Sequence, residues 1–309
     1  MSNIAIKRIN RDVSHILKEP LDDFGIYIDW NSENIKNVKA LIIGPEGTPY
    51  CYGNYFFNIN FTNDYPHVPP KVSYETRYGN IRFNPNLYTS GKVCVSILNT
   101  WSGPQWTSCQ SLKSVLLSLQ SLLNENPLQN EPGFENVIDE RHKSYNKIIE
   151  HENINIAIIR MIKNTPKGFE NFKPVLEKVF IKNYDKILKH TTKLSETNPY
   201  YGNKKTFYSK IYGMRINNDY LNILKKINEL QSEFLYKNSN IKEIKKEIKK
   251  EIIKIKKKRN VPNEFAKSFK LGFVKKSENN GNFYTVVENK NGVKRWKKIE
   301  NIKKEKITI

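Results

Sequence analysis

Four short runs rich in β-branched and aromatic residues, FGIYIDW, VKALIIGP, YFFNINF and KVSYE, follow one another between residues 24 and 75. Turn-forming stretches such as GPEGTPY separate them, so they read as an antiparallel meander. A meander needs apolar elements to cover it, and the chain supplies them on both sides. Before it, IAIKRINRDVSHILKEP puts Ile4, Ile9, Val13, Ile16 and Leu17 on one helical face, and Pro20 stops the helix. After it, SLKSVLLSLQSLL is apolar on most sides and reads as a buried helix. SYNKIIEHENINIAIIRMIKN is a further helix, DYPHVPPKV is too proline-rich for a helix or central strand, and NPNLYTSGKV is an irregular connection. This order predicts an α+β architecture, with helices segregated on an antiparallel sheet.

Charge divides the chain. Residues 1–150 carry 14 basic and 15 acidic side chains, and the remainder carries 38 and 16, which gives the net +21. The basic half opens with helical patterns, PVLEKVFIKNYDKILKHTTKL and YLNILKKINELQSEFLY. In IKEIKKEIKKEIIKIKKKR, Ile241, Ile244, Ile248, Ile252 and Ile255 form one narrow stripe, which suits a solvated helix packed along a single seam. A coiled-coil site is the sharper alternative, on a short run for it. Tyr184, Tyr200, Tyr201, Phe207, Tyr208 and Tyr212 read as filling for a small helical core. FYTVVENKNGVKRWKKI predicts a hairpin on a tight primed turn at Asn291-Gly292. The expected division is 1–183, 184–258 as a basic helical region, and 259–309 as a small β-hairpin module. A net positive half suits nucleic acid or an acidic protein, or reflects AT-rich coding, given the heavy use of Lys, Asn and Ile.

Three cysteines do not make a disulfide framework. No basic-then-apolar leader opens the chain and no long apolar run spans a bilayer. The expected setting is intracellular, cytoplasm or nucleus, with no membrane partner. Cys94 stands out because it follows a Gly-containing irregular stretch, where functional residues are often placed. A metal site would need matched Cys or His spacings, and a redox pair a nearby thiol; neither is present in the sequence around it. Packing and nucleophile both remain open on these residues alone, with valine on each side suiting a strand. A thiol that accepts an acyl group from another thioester needs no paired His.

Those residues resemble the ubiquitin-conjugating enzymes over most of Ile4–Glu135. The carriers are the IIGPEGTPYCYGNYFFNINFTNDYPHVPPKV block, the triplet Asn84-Pro85-Asn86 eight residues before Cys94, a following Trp and the buried helix. RFNPNLYTSGKVCVSILNTWSG, the extra residues before WTS, and NEPGFE resemble the large hybrid members that combine conjugating and ligase activities. Those relatives are much longer. The C-terminal module resembles short modules in proteins of large DNA viruses, so a giant-virus or protist source is expected.

The resemblance implies that Cys94 takes ubiquitin from the activating enzyme as a thioester and passes it to a substrate lysine. Asn86 then stabilises the oxyanion or braces its loop, and Glu131 steers the lysine. Asn84 replaces the family's usual His without ending catalysis. Asn84, Trp101 and Ser96, the last on the same side of a strand as Cys94, border the site. Lys7, Arg8 and Arg11 meet the activating enzyme. Pro66, His67 and Pro69 form the ligase-facing loop. There His67 stands where relatives carry an aromatic, and QWTSCQ lacks the usual Ser-Pro-Ala type sequence, so transfer without a conventional RING ligase is expected. Ubiquitin, activating enzyme, lysine-bearing proteins and a ligase are the implied partners. No cofactor or metal is expected, since ATP is used by the activating enzyme. The alternative is a non-catalytic ubiquitin- or nucleic-acid-binding protein on the same scaffold.

Overall fold

The computed structural model describes residues 3–135, 139–197, 206–257 and 260–300, with the side chains of residues 240–257 left out. They form two compact units, 1–234 and 235–309.

In the first unit, α1 (Asn3–Lys18) buries Ala5, Ile9, Val13 and Ile16, together with Asp12. This stripe is rotated from the expected face: Ile4 and Leu17 are exposed. The small Ala5 and the paired Asp12 supply contacts that a purely apolar count overlooks. β1 (Ile26–Trp30), β2 (Asn37–Ile43), β3 (Asn54–Asn60) and β4 (Lys71–Tyr74) pair in that order, all antiparallel. α2 (Leu112–Ser121) starts on a capping box, with Ser111 and Ser114 each serving the other's backbone N–H. It contributes Leu112, Val115, Leu116 and Leu119 to the core shared with α1 and the sheet.

Adjacent strand residues point to opposite faces, and both Phe56 and Phe57 are buried. Phe57 meets Tyr74, with ring centres 5.5 Å apart. Phe56 meets Phe169 and Phe172 at 5.1 and 6.0 Å. Segment 166–172 therefore lies on the outer face of the sheet, where Lys39 Nζ donates to Gly168 O and Asn171 Nδ2 donates to Asp29.

α3 (Glu140–Glu152) continues through a π-helical stretch, Asn153–Arg160, into the single turn α4 (Met161–Lys163). The widened turns follow from polar groups inserted against β3. Asn153 accepts from Tyr55 Oη (2.7 Å) and donates to Cys51 O (2.9 Å), while Asn54 Nδ2 donates to Ala157 O (2.9 Å). Gly53 makes room, since a Cβ there would sit 1.9 Å from Asn153 Oδ1.

α5 (Lys173–Glu196) and the start of α6 (Tyr220–Lys257) share a second core with this stretch, through Ile154, Ile158, Phe180, Ile187, Ile223 and Ile227. The expected boundary at 183 falls inside α5, so that core reaches across it. Between the two helices lies a feature absent from the sequence expectation: a hairpin, β5 (Thr206–Ser209) with β6 (Met214–Asn217), against α3. The side chains of the 241–255 isoleucine stripe, and Tyr200 and Tyr201, lie outside the described residues.

The second unit holds a three-stranded sheet, β7 (Val274–Lys276), β8 (Phe283–Glu288) and β9 (Lys294–Lys298). Its turn is not the primed type expected. Asn289 through Val293 form a five-residue connection in which, of Asn291 and Gly292, only Gly292 has positive φ (73°). Gly292 N donates to Asn289 O, a pattern that needs left-handed geometry at one position rather than two. Among the described residues, no helix is long and apolar enough to cross a membrane.

Candidate active site

Asn84, Pro85 and Asn86 are fixed by their own side chains. Asn84 Nδ2 donates to Leu122 O (2.7 Å), at the end of α2, and to Tyr50 Oη (3.0 Å); Asn84 Oδ1 accepts from Asn86 N (2.9 Å). A buried amide in place of an imidazole thus still ties the loop to the core. Asn86 and Cys94 then clasp one another: Cys94 N donates to Asn86 O (2.9 Å), and Asn86 Nδ2 donates to Cys94 O (2.6 Å). A carbonyl oxygen only accepts, so the amide's NH2 must be the group facing Cys94. Asn86 Oδ1 is buried without a partner.

Cys94 is a free thiol, 2% exposed. It does not lie on a strand. It occupies an extended segment after isolated bridges, leading into the 3-10 turn Ser96–Leu98. Strand alternation therefore does not govern Ser96, which is half-buried beneath Gly103: a Cβ on that glycine would sit 3.1 Å from Ser96 Cβ. Thr100 was not singled out from the sequence, yet its hydroxyl accepts from Val95 N (3.0 Å) and donates to Val93 O (3.0 Å), holding the chain on both sides of Cys94. Of the other thiols, Cys109 is exposed, and burial pushes Cys51 up to about 11.

The two tryptophans separate. Trp106 is buried and donates from Nε1 to Pro66 O (2.7 Å); Trp101 is 38% exposed. Pro66 is buried, Pro69 half-buried and His67 exposed, its ring nitrogen 3.5 Å from Ser108 Oγ.

Lys7 and Arg11 are exposed on α1, but Arg8 is drawn into the fold. Its guanidinium pairs with Asp12 (2.9 Å) and donates to Ser108 O (2.7 Å) and Gln110 O. Asp12 also accepts from Tyr65 Oη and Leu112 N. Burial, then the Asp12 contact, raises Tyr65 far above the ordinary phenol range. Arg8 is thus a brace between α1 and the loop before α2, a role that helical position alone does not reveal.

Glu131 is half-buried and accepts a hydrogen bond from Tyr212 Oη (2.5 Å), at the tip of the β5–β6 hairpin. Arg82 was also missed from sequence. Its guanidinium carbon lies 3.8 Å from the Tyr88 ring centre and 4.1 Å from that of Tyr212, and it donates to Pro85 O. No short motif signals this stack, because Tyr212, which completes it, is distant in sequence from Arg82 and Tyr88.

A sequence profile described as ubiquitin-conjugating enzyme matches residues 8–165. Ubiquitin-conjugating enzyme E2 Z of Xenopus tropicalis is 44% identical over 189 residues, covering 60% of this chain and 59% of that protein. The Homo sapiens protein of the same name is 45% identical over 186 residues, covering 59% and 51%. A probable ubiquitin-conjugating enzyme of Acanthamoeba polyphaga mimivirus is 35% identical over 223 residues, covering 67% of this chain and 15% of the viral protein. The chain thus spans between half and three-fifths of the E2 Z proteins just named. With the matched profile covering more than half of its length, including the clasped Asn86 and Cys94, this chain belongs to the ubiquitin-conjugating enzyme family.

Proposed function

We propose that the chain accepts ubiquitin on Cys94 and transfers it to lysine. The Cys94 thiolate attacks the carbonyl carbon of ubiquitin's thioester on the activating enzyme, and that enzyme's thiolate leaves. A neutral lysine amine then attacks the Cys94 thioester; the C–S bond breaks, Cys94 leaves as thiolate, and the amine gives up a proton as the isopeptide bond forms. The observation that carries this reading is the clasp between Asn86 and the backbone of a free Cys94. It fixes the thiol's segment beside an amide able to donate to the oxyanion of each tetrahedral intermediate. Glu131, linked to this loop through Tyr212 and Arg82, suits orientation of the incoming amine, whose unperturbed pKa of about 10.4 must be overcome. Lys7 and Arg11 are the exposed cations offered to the activating enzyme, and Pro66, His67 and Pro69 the surface offered to a ligase. Incubation with ubiquitin, activating enzyme and ATP is expected to give a one-ubiquitin adduct by intact mass, released by thiol reductant. Absence of the adduct would overturn the reading.

The second unit suits nucleic acid as an additional partner. The strand registers place Lys276, Arg295 and Lys297 on one face with Phe283, Thr285 and Val287, and no carboxylate shares that face among the described strand residues. Reversing the three exposed cations to Glu in the full chain is expected to weaken binding to a short DNA duplex. The salt slope of log K should flatten by roughly 3, about one per lost phosphate contact. An unchanged slope would remove this partner from the account.

A further inference from the structure

Glu131 does not stand free on its loop, and what holds it lies outside the segment matched by the family profile. The profile match ends at residue 165, and the β5–β6 hairpin begins at Thr206. Tyr212 at its tip has φ 57°, a left-handed conformation that bulky residues seldom adopt. It is followed by Gly213 at φ 59°. Such a backbone turns the phenol back toward the conjugating domain. There Tyr212 meets three groups: its hydroxyl donates to Glu131 Oε2 (2.5 Å), its face covers the Arg82 guanidinium (4.1 Å), and its edge meets Tyr145 (6.2 Å between ring centres). The hairpin is seated by Met214, fully buried, whose Sδ accepts from Arg82 N (3.3 Å), while Tyr145 Oη donates to Arg82 O (2.7 Å).

We infer that Tyr212 is a positioning residue for the transfer step, supplied to the active site by the β5–β6 hairpin. Two contact paths leave it. One runs through its hydroxyl to Glu131. The other runs through Arg82, clamped between Tyr88 and Tyr212, to Pro85 O, and so to the Asn86–Cys94 clasp. One carboxylate oxygen of Glu131 is held, which restricts the rotamers of an otherwise mobile side chain and leaves its other oxygen for an incoming lysine amine. Orientation of this kind raises the fraction of productive encounters without adding a reacting group. This inference rests on the proposed role of Glu131 in transfer.

The test is single-turnover discharge of the preformed Cys94 thioester onto free lysine, at a series of lysine concentrations. The full chain is compared with Tyr212→Phe, which keeps the ring over Arg82 and removes only the hydroxyl, with Glu131→Ala, and with the double variant. Tyr212→Phe is expected to lower the second-order rate about fivefold, the size of one net hydrogen bond. Because the loss concerns capture of the amine, it should raise the lysine concentration needed for half-maximal rate, with the melting temperature lowered by no more than a few degrees, the share of one surface-proximal hydrogen bond. In the Glu131→Ala background the Phe substitution should add nothing. A Tyr212→Phe rate within twofold of the unsubstituted chain, or losses that multiply in the double variant, would overturn the inference. Failure of the unsubstituted chain to form the thioester would overturn the proposed function, and this inference with it, before any variant is compared.

Discussion

Asn86→Ala is expected to slow transfer from the Cys94 thioester by about 100-fold or more, the usual effect of removing one donor from an oxyanion site. The amide sits where two roles meet. One N–H is given to Cys94 O (2.6 Å), and the same NH2 group carries a second hydrogen for a developing negative charge. Removing it also leaves a backbone carbonyl next to the nucleophile without its partner, which costs about 1–3 kcal/mol. The rate loss should therefore come with a measurable fall in stability. Asn86→Asp is not a rescue, since a carboxylate cannot donate and would face Cys94 O directly. Single-turnover discharge together with thermal melting separates the two contributions. A discharge rate within threefold of the unsubstituted chain would remove Asn86 from the chemistry.

Asp12→Ala is expected to cost about 3–5 kcal/mol of stability, because it leaves a largely buried charge uncompensated. Asp12 is 5% exposed and gathers Arg8, Tyr65 Oη and Leu112 N on one carboxylate. Its loss would strand Tyr65 Oη and Leu112 N, leave the Arg8 cation with carbonyl partners only, and loosen the tie that Arg8 makes from α1 to the loop before α2. Denaturant unfolding reads this as a lower midpoint at constant slope. A loss under about 1 kcal/mol would mean that water or another group takes over from the carboxylate, and that the cluster is not the brace described.

The four sheet strands and the helices α1, α2 and α5 were legible because each follows one periodicity between turn residues or prolines; α6 reads as two helical patterns but is one continuous helix, and α3 runs on into the π-helical stretch without a stop signal. The β5–β6 hairpin was not legible. Its strands TFYS and MRIN are four residues each, and their aromatics read equally well as filling between helices. The widened turns at Asn153–Arg160 arise from buried amides meeting another strand, which one-dimensional spacing does not carry. At the site, the Asn86–Cys94 spacing was visible because loop and cysteine are local to one another. Arg82, Thr100 and Tyr212 were not: Arg82 and Thr100 bond nearby backbone carbonyls, which no side-chain motif encodes, and Tyr212 meets Glu131 and Arg82 only in the folded chain. Arg8 marks the converse case, a basic residue on an exposed helix whose charge is neutralised inside the fold.

The central claim is that Cys94 carries the thioester. The most direct measurement is non-reducing electrophoresis of the unsubstituted chain, Cys94→Ala and Cys94→Lys after incubation with ubiquitin, activating enzyme and ATP. A reductant-sensitive adduct is expected on the unsubstituted chain, none at this position in Cys94→Ala, and a reductant-stable adduct in Cys94→Lys that maps to residue 94. A reductant-sensitive adduct of equal yield in Cys94→Ala would contradict it and place the acceptor on Cys51 or Cys109.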